Sequence, residues 1–119
     1  MDQSARIHQS AFRLTSTRQD GSAAFQKGVT EFRQGKLKEA LGEFEVAATA
    51  EPKNALYHYH RALAMFDLAG AEAGHEALQQ AIELETREPV KNWGKRMERV
   101  QGRGRVWIES ARRNAGLVR

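Results

Sequence analysis

The sequence predicts an all-α protein built from helical hairpins, and three observations support this prediction. Apolar residues recur at steps of three and four, which place side chains on one face of a helix. A shift of 34 residues puts Phe25 on Tyr59 and Tyr59 on Trp93, so the chain repeats itself. Glycine, asparagine and proline separate the apolar stretches, where helices end and begin. Together these features favour a stack of similar two-helix units.

The first repeat has room for two helices. The first helix carries apolar or small residues at i, i+3, i+4 and i+7, namely Phe25, Gly28, Val29 and Phe32. Gly35 stands where this helix must end, because glycine adopts the left-handed C-cap conformation at little cost. The second helix has one apolar stripe, formed by Leu37, Ala40, Leu41, Phe44, Ala47 and Ala48.

The second repeat follows the same rule. Asn54 can cap its first helix by accepting a backbone N–H bond, and Gly70 ends that helix. The stripe of the first helix is Tyr59, Ala62, Leu63 and Phe66, and that of the second is Leu78, Ala81 and Ile82. Small residues of one repeat therefore align with small residues of the other, and large residues with large.

These residues carry a family resemblance. Gly28, Ala40, Phe44, Ala47 and Pro52 resemble the pattern of the tetratricopeptide repeat (TPR). The resemblance implies two repeats, at 21–54 and 55–88, arranged as antiparallel helical hairpins in a short right-handed superhelix. Residues 89–119 resemble a degenerate third hairpin that caps the stack.

The third unit departs from the pattern because Arg96 and Arg112 occupy positions that normally pack. Pro89 suits the first turn of its leading helix, whose inward face would be Trp93, Met97 and Val100. The pair Gly102 and Gly104 is most simply the turn of this hairpin.

Residues 1–20 are expected to form an N-terminal tail. Ile7, Ala11 and Leu14 fall at i, i+4 and i+7, which predicts a short amphipathic helix. A polar loop at 15–22 would connect this helix to the first repeat and let it fold back.

The TPR resemblance implies a noncatalytic protein–protein interaction module that holds a peptide or helix in a concave groove. The groove residues it implies are Phe25, Val29, Phe32, Leu56, Tyr59, His60, Leu63, Phe66, Trp93 and Met97. Leaving several such side chains in water would forgo about 1.5 to 3 kcal/mol each. The predicted occupant is therefore the N-terminal tail, a second copy of the chain, or an external protein or peptide partner. Self-association makes a homo-oligomerising adaptor an alternative function.

The positive charge is concentrated at the C-terminal end. Residues 1–88 carry a net charge of −3, whereas residues 89–119 carry +7. A basic surface is predicted at Lys91, Lys95, Arg99, Arg103, Arg105, Arg112 and Arg113. The first three lie at i, i+4 and i+8, so a helix would present them on its outer face, opposite Trp93 and Met97. A second alternative function is thus binding of nucleic acid or an acidic surface, although no exposed aromatic accompanies the charge.

Other classes of function find no support in the residues. The chain has no cysteine, so disulfides and thiolate chemistry are excluded. His58 and His60 are two apart on a predicted helix and point to different sides, with His58 expected at the surface, so no metal site is predicted. No serine has a histidine base in reach, and no cofactor motif is present. With no predicted signal segment or membrane span, the expected compartment is cytoplasmic.

Overall fold

The structure, a computed structural model, describes residues 17–118, and side chains are described for residues 21–118. The all-α prediction is confirmed, because this range contains helices and turns and no strand. No helix of this range is both long enough and apolar enough to cross a membrane. The helices are α1 Thr17–Arg33, α2 Leu37–Ala50, α3 Ala55–Ala69, α4 Ala71–Arg87, α5 Trp93–Arg96 and α6 Arg103–Asn114.

The first four helices form two antiparallel hairpins, α1 with α2 and α3 with α4, and α2 also packs on α3. In the first hairpin Lys27 Nζ lies 3.4 Å from Glu43 Oε2, and these two residues directly precede Gly28 and Phe44, which contact each other. A Cβ atom on Gly28 would lie 2.6 Å from Phe44 Cε1. The small residue of the repeat is therefore required by the aromatic residue that packs against it.

The helix ends lie where the sequence predicts them. The Asn54 side chain accepts the backbone N–H of Tyr57 at 3.3 Å, which caps α3. Gly35 and Gly70 have φ values of 81° and 96°, in the left-handed region that favours glycine. After α1, Lys36 N–H donates to Glu31 O and Gly35 N–H to Phe32 O, the two bonds of a Schellman motif.

The start of α1 differs from the expected loop. The helix already includes Thr17, so most of the polar segment 15–22 is helical. Gly21 lies within this helix and packs closely on α2, since an added Cβ atom would lie 3.0 Å from Ala50 Cβ. The amphipathic helix predicted around Ile7 to Leu14 lies outside the described residues.

The prediction of a full leading helix in the third unit is wrong. The segment that joins α4 to α6, residues 88–102, contains only the single turn α5, and Pro89 precedes it outside any helix. Asn92 has the left-handed φ of 57°, and Gly94 is a poor helix former. Arg105 stabilises this connecting segment, since its Nη1 donates to Met97 O at 2.5 Å and to Val100 O at 3.1 Å.

A buried ion pair attaches α6 to the second hairpin. Arg112 lies on α6 and is only 6% exposed, which corrects the prediction of a solvated basic residue. Its Nε and Nη2 donate to the two carboxylate oxygens of Glu85 on α4, at 2.9 and 2.5 Å. Tyr59 of α3 donates its O–H to the same carboxylate at 2.5 Å. One side chain from each of three helices therefore meets at this point.

The contacts of Arg112 continue to the connecting segment. Its guanidinium lies 3.8 Å from the ring centroid of Trp93, whose Nε1 donates to Glu109 at 2.8 Å. Glu109 also accepts from Arg105 at 2.7 Å and pairs with Arg112, so its two charged partners are Arg105 and Arg112. Burial opposes ionisation of Glu109, but the bonds from Trp93 and Arg105 prevail and lower its pKa.

Substitution of Arg112 with alanine should lower the free energy of unfolding by about 3–5 kcal/mol, because Glu85 is left as an uncompensated buried charge. Urea denaturation followed by circular dichroism measures the change. The matched control is Arg113→Ala, because Arg113 is the exposed neighbour on the same helix and its substitution should cost no more than about 0.5 kcal/mol. Equal effects of the two substitutions would contradict the role given to the ion pair.

Candidate functional site

A cleft of about 180 Å³ lies between α1, α3 and the connecting segment. The described chain contains larger depressions, but this cleft brings helices of both hairpins together with the third unit. We refer to it as the cleft, and its lining residues are Phe25, Gln26, Val29, Phe32, Arg33, His60, Lys95, Arg96, Glu98, Arg99 and Val100. The floor of this site is apolar and its rim is charged.

The floor is rigidly packed. The ring of Phe25 contacts the ring of His60 edge-on at 4.8 Å, and Phe44 supports His60 from α2 at 5.3 Å. Val29 and Phe32 are half-buried and leave part of their apolar surface in the cleft. These two side chains, one turn apart on α1, are therefore the apolar groups that a ligand can cover.

His60 contributes a neutral imidazole to the floor. Its Nδ1 donates to the carbonyl oxygen of Leu56 at 3.0 Å, because a carbonyl can only accept. Nε2 is then an acceptor, and it has no hydrogen-bond partner among the described residues. Burial lowers the pKa of His60 to about 4, with the cation of Arg96 adding to the effect, although the bond to Leu56 opposes it. The cleft thus contains no histidine charge near neutral pH.

The rim carries a strong positive charge. Four cations line the cleft, Arg33 from α1 and Lys95, Arg96 and Arg99 from the connecting segment, against the single carboxylate of Glu98. All four cations are exposed. None of the ion pairs found within residues 21–118 includes any of them. Their charge is therefore available to a ligand.

The structure brings together only part of the predicted groove. Phe25, Val29, Phe32 and His60 line the cleft. Tyr59, Leu63 and Met97 are at most 1% exposed and belong to the core, as does Leu56 at 3%, which corrects their assignment as ligand-contacting residues.

The remaining two predicted groove residues pack against other side chains of the protein. Trp93 packs edge-on against Tyr59 at 4.9 Å. Phe66 stacks on Trp107 at 4.7 Å and lies beside Gly104, away from the cleft. Neither ring lines the cleft.

Some residues of the predicted basic surface are exposed and others are not. Lys91, Lys95, Arg99, Arg103 and Arg113 are exposed, as expected. Arg105 and Arg112 are exceptions. Arg105 is half-buried and forms hydrogen bonds to Glu109 and to backbone carbonyls, and Arg112 is buried. Lys95 and Arg99 line the cleft, since the short α5 cannot present an outward helical stripe.

The position of His58 differs from the expected surface position. It is 5% exposed, and its Nε2 donates to Pro52 O at 2.8 Å, so it fastens α3 to the preceding loop. Within the described residues no group of three potential ligands could hold a metal ion.

Sequence reasoning missed Arg33, Arg96 and the Glu85–Arg112 pair. The sequence contained a signal for Arg33. It lies eight residues after Phe25 and four after Val29, so it continues their stripe on the same face of the helix. Glu85 gave a similar signal, since it follows Ala81 by one turn on the buried stripe of α4. A carboxylate in such a position indicates a buried partner. Arg96 had no comparable signal, because its place depends on the interruption after α5.

Comparison with known proteins does not extend this description. No protein-family model, curated protein or solved structure matches the chain. The similarity to TPR therefore remains a prediction based on the residues given above.

The buried His60 makes stability depend on pH. Its pKa is about 4 in the folded protein and 6.5 in the unfolded chain, so the unfolded chain binds the proton more tightly. The contribution of neutral His60 is complete above pH 6.5 and is lost as the pH falls towards 4. The free energy of unfolding should fall by up to about 1.4 kcal/mol per pH unit in this window. His58, whose pKa burial also lowers, acts in the same direction.

Urea denaturation at about pH 7.5 and about pH 5 measures this dependence. His60→Gln should reduce the difference between the two pH values, whereas His75→Gln, at an exposed histidine of α4, should preserve it. An unchanged difference in the His60 variant would refute the assignment.

Proposed function

We propose that this chain is a noncatalytic protein–protein interaction module of the TPR type, which binds a peptide or helix of a partner in the cleft. The proposal rests on one observation. Val29 and Phe32 are half-buried side chains in the floor of the cleft, which α1, α3 and the connecting segment enclose. The exposed parts of Val29 and Phe32 provide an apolar surface that an apolar side chain of a ligand can cover.

The packing of the hairpins supports the TPR type. Gly28 and Gly74 both approach a neighbouring helix closely, as small residues of a repeat pattern would. A Cβ atom on Gly74 would lie 2.8 Å from Ala62 O and 2.9 Å from Trp107 Cη2. The first helices of the two repeats, α1 and α3, are also the helices that contribute to the cleft.

The rigidity of the floor supports binding of an extended or helical segment. Phe25, Phe44 and His60 are all buried and in ring contact, so no large rearrangement is needed to form the cleft. A preorganised site binds more tightly because fewer side chains are ordered on binding.

Phe32→Ala and Val29→Ala should each weaken binding of a peptide to the cleft by roughly three- to tenfold, because both side chains are already half-buried and a ligand covers only their remaining exposed surface, at about 25 cal/mol per Å². Peptides for this measurement come from selection of a random linear peptide display library on the full-length protein. Fluorescence anisotropy of the labelled peptides then gives the Kd for each variant.

The control substitution is Val106→Ala, at an apolar residue of α6 that is 68% exposed and lies outside the cleft. It should leave the Kd unchanged. Circular dichroism must show the same helix content for all variants. Selection of no peptide that depends on Val29 or Phe32 would refute the proposed function.

A further inference from the structure

We infer that the partner of the cleft is an acidic segment of another protein, with one large apolar residue flanked by Asp and Glu. This inference rests on the proposed function and specifies the chemistry of the ligand. The argument depends on the charge of the rim, the size of the cleft and the surfaces that this chain itself can offer.

The rim selects for negative charge. Three cations, Lys95, Arg96 and Arg99, lie within five residues of the connecting segment and face Arg33 on α1 across the cleft. With Glu98 as the only carboxylate, the lining carries a net charge of +3. Clustered like charge beside a low-dielectric apolar wall raises the local potential and attracts an oppositely charged ligand.

The size of the cleft indicates one apolar anchor. Its volume of about 180 Å³ is slightly larger than the roughly 150 Å³ cavity that accommodates benzene in an engineered protein. A single leucine or phenylalanine side chain can therefore enter and cover Val29 and Phe32. Neighbouring positions of the same segment would then lie at the rim, within reach of Arg33 and Arg99.

The N-terminal tail does not have this chemistry. Its apolar residues Ile7 and Leu14 are accompanied by Arg6 and Arg13, and residues 1–16, which precede α1, have a net charge of +1. Binding of this tail would place cations beside the cations of the rim, which is unfavourable.

The described surface of a second copy is no better suited. The outer face of α4 is acidic, with Glu76 and Glu83, but exposes no large apolar residue. The exposed large apolar residues of the described chain are Val46, Leu68 and Val106. Val46 and Leu68 each follow one exposed carboxylate, Glu45 and Asp67, but neither is directly followed by a second one. A large apolar residue with a carboxylate on each side is therefore expected from another protein rather than from the described surface of a second copy.

A nucleic acid fits the cleft less well. Binding of single strands uses exposed aromatic rings that stack on successive bases. Here Phe25 is only 6% exposed, and Phe32 is half-buried in the wall. Glu98 would also lie among the phosphates.

The test uses the peptides selected on the full-length protein. The sequences should be enriched in Asp and Glu around a single large apolar residue. Lys95→Glu with Arg99→Glu should weaken their binding by roughly tenfold or more, since two attractions become repulsions. The matched control is Lys91→Glu with Arg103→Glu, which changes the net charge equally at exposed positions outside the cleft. It should change the Kd by less than about threefold.

The possible outcomes separate this inference from the proposed function. Peptides that need Phe32 but are not enriched in acidic residues, or that tolerate the Lys95 and Arg99 substitutions, would overturn the inference and leave the proposed function standing. Equal losses in the cleft pair and the control pair would also overturn it. If no selected peptide depends on Phe32, both fail.

Three further results would identify another occupant and overturn the inference. An oligothymidylate that displaces the peptides, with an affinity that falls steeply with salt, would indicate nucleic acid. Concentration-dependent dimerisation that Phe32→Ala abolishes, measured by light scattering, would indicate a second copy. Tighter peptide binding after Ile7→Asp with Leu14→Asp would indicate the tail.

Discussion

The ion pair between Glu85 and Arg112 is the interaction on which the rest of the third unit depends. It fixes α6 against α3 and α4, because the bidentate geometry allows one relative position of the two side chains. Arg105, seven residues earlier on the same helix, can then reach the carbonyl groups of Met97 and Val100. The connecting segment is held in place through these bonds, and it supplies one wall of the cleft. An interaction outside the lining of the cleft thus contributes to the shape of the cleft.

A buried ion pair is an expensive way to attach a helix, since both charges lose their hydration. The structure offsets this cost with neighbouring partners: Tyr59 donates to Glu85, and Trp93 covers the guanidinium face of Arg112. Burial opposes the charge of Arg112, but the bonds to Glu85 prevail and raise the pKa of Arg112, which keeps its guanidinium protonated. Purely apolar contacts would stabilise α6 without specifying its register. We interpret the pair as a determinant of register, because the two Arg112 nitrogens meet the two Glu85 oxygens in only one alignment of α6 on α4.

The sequence was sufficient for the two hairpins because their signals are local. Apolar spacing, the Asn54 cap and the glycine stops each act within a few residues, and all agree with one another. The third unit could not be predicted in the same way. Its apolar residues keep helical spacing, yet Asn92 and Gly94 favour interruption, and the outcome depends on a side chain of α6. Which aromatics would be exposed was equally unpredictable, since Tyr59 is buried by partners distant in sequence.

The interruption after α5 also decides where the basic residues act. In a continuous helix Lys91, Lys95 and Arg99 would form one stripe facing away from Met97 and Val100. In the structure the backbone turns after Arg96, so Met97 and Val100 remain buried while Lys95 and Arg99 turn towards α1. Lys91 does not line the cleft and lies near the loop at Pro52. The cleft acquires its charge from this departure from helical geometry. A regular helix with the same residues would not place Lys95 and Arg99 beside the cleft. The charge of the cleft therefore depends on the conformation of the segment as much as on its residues.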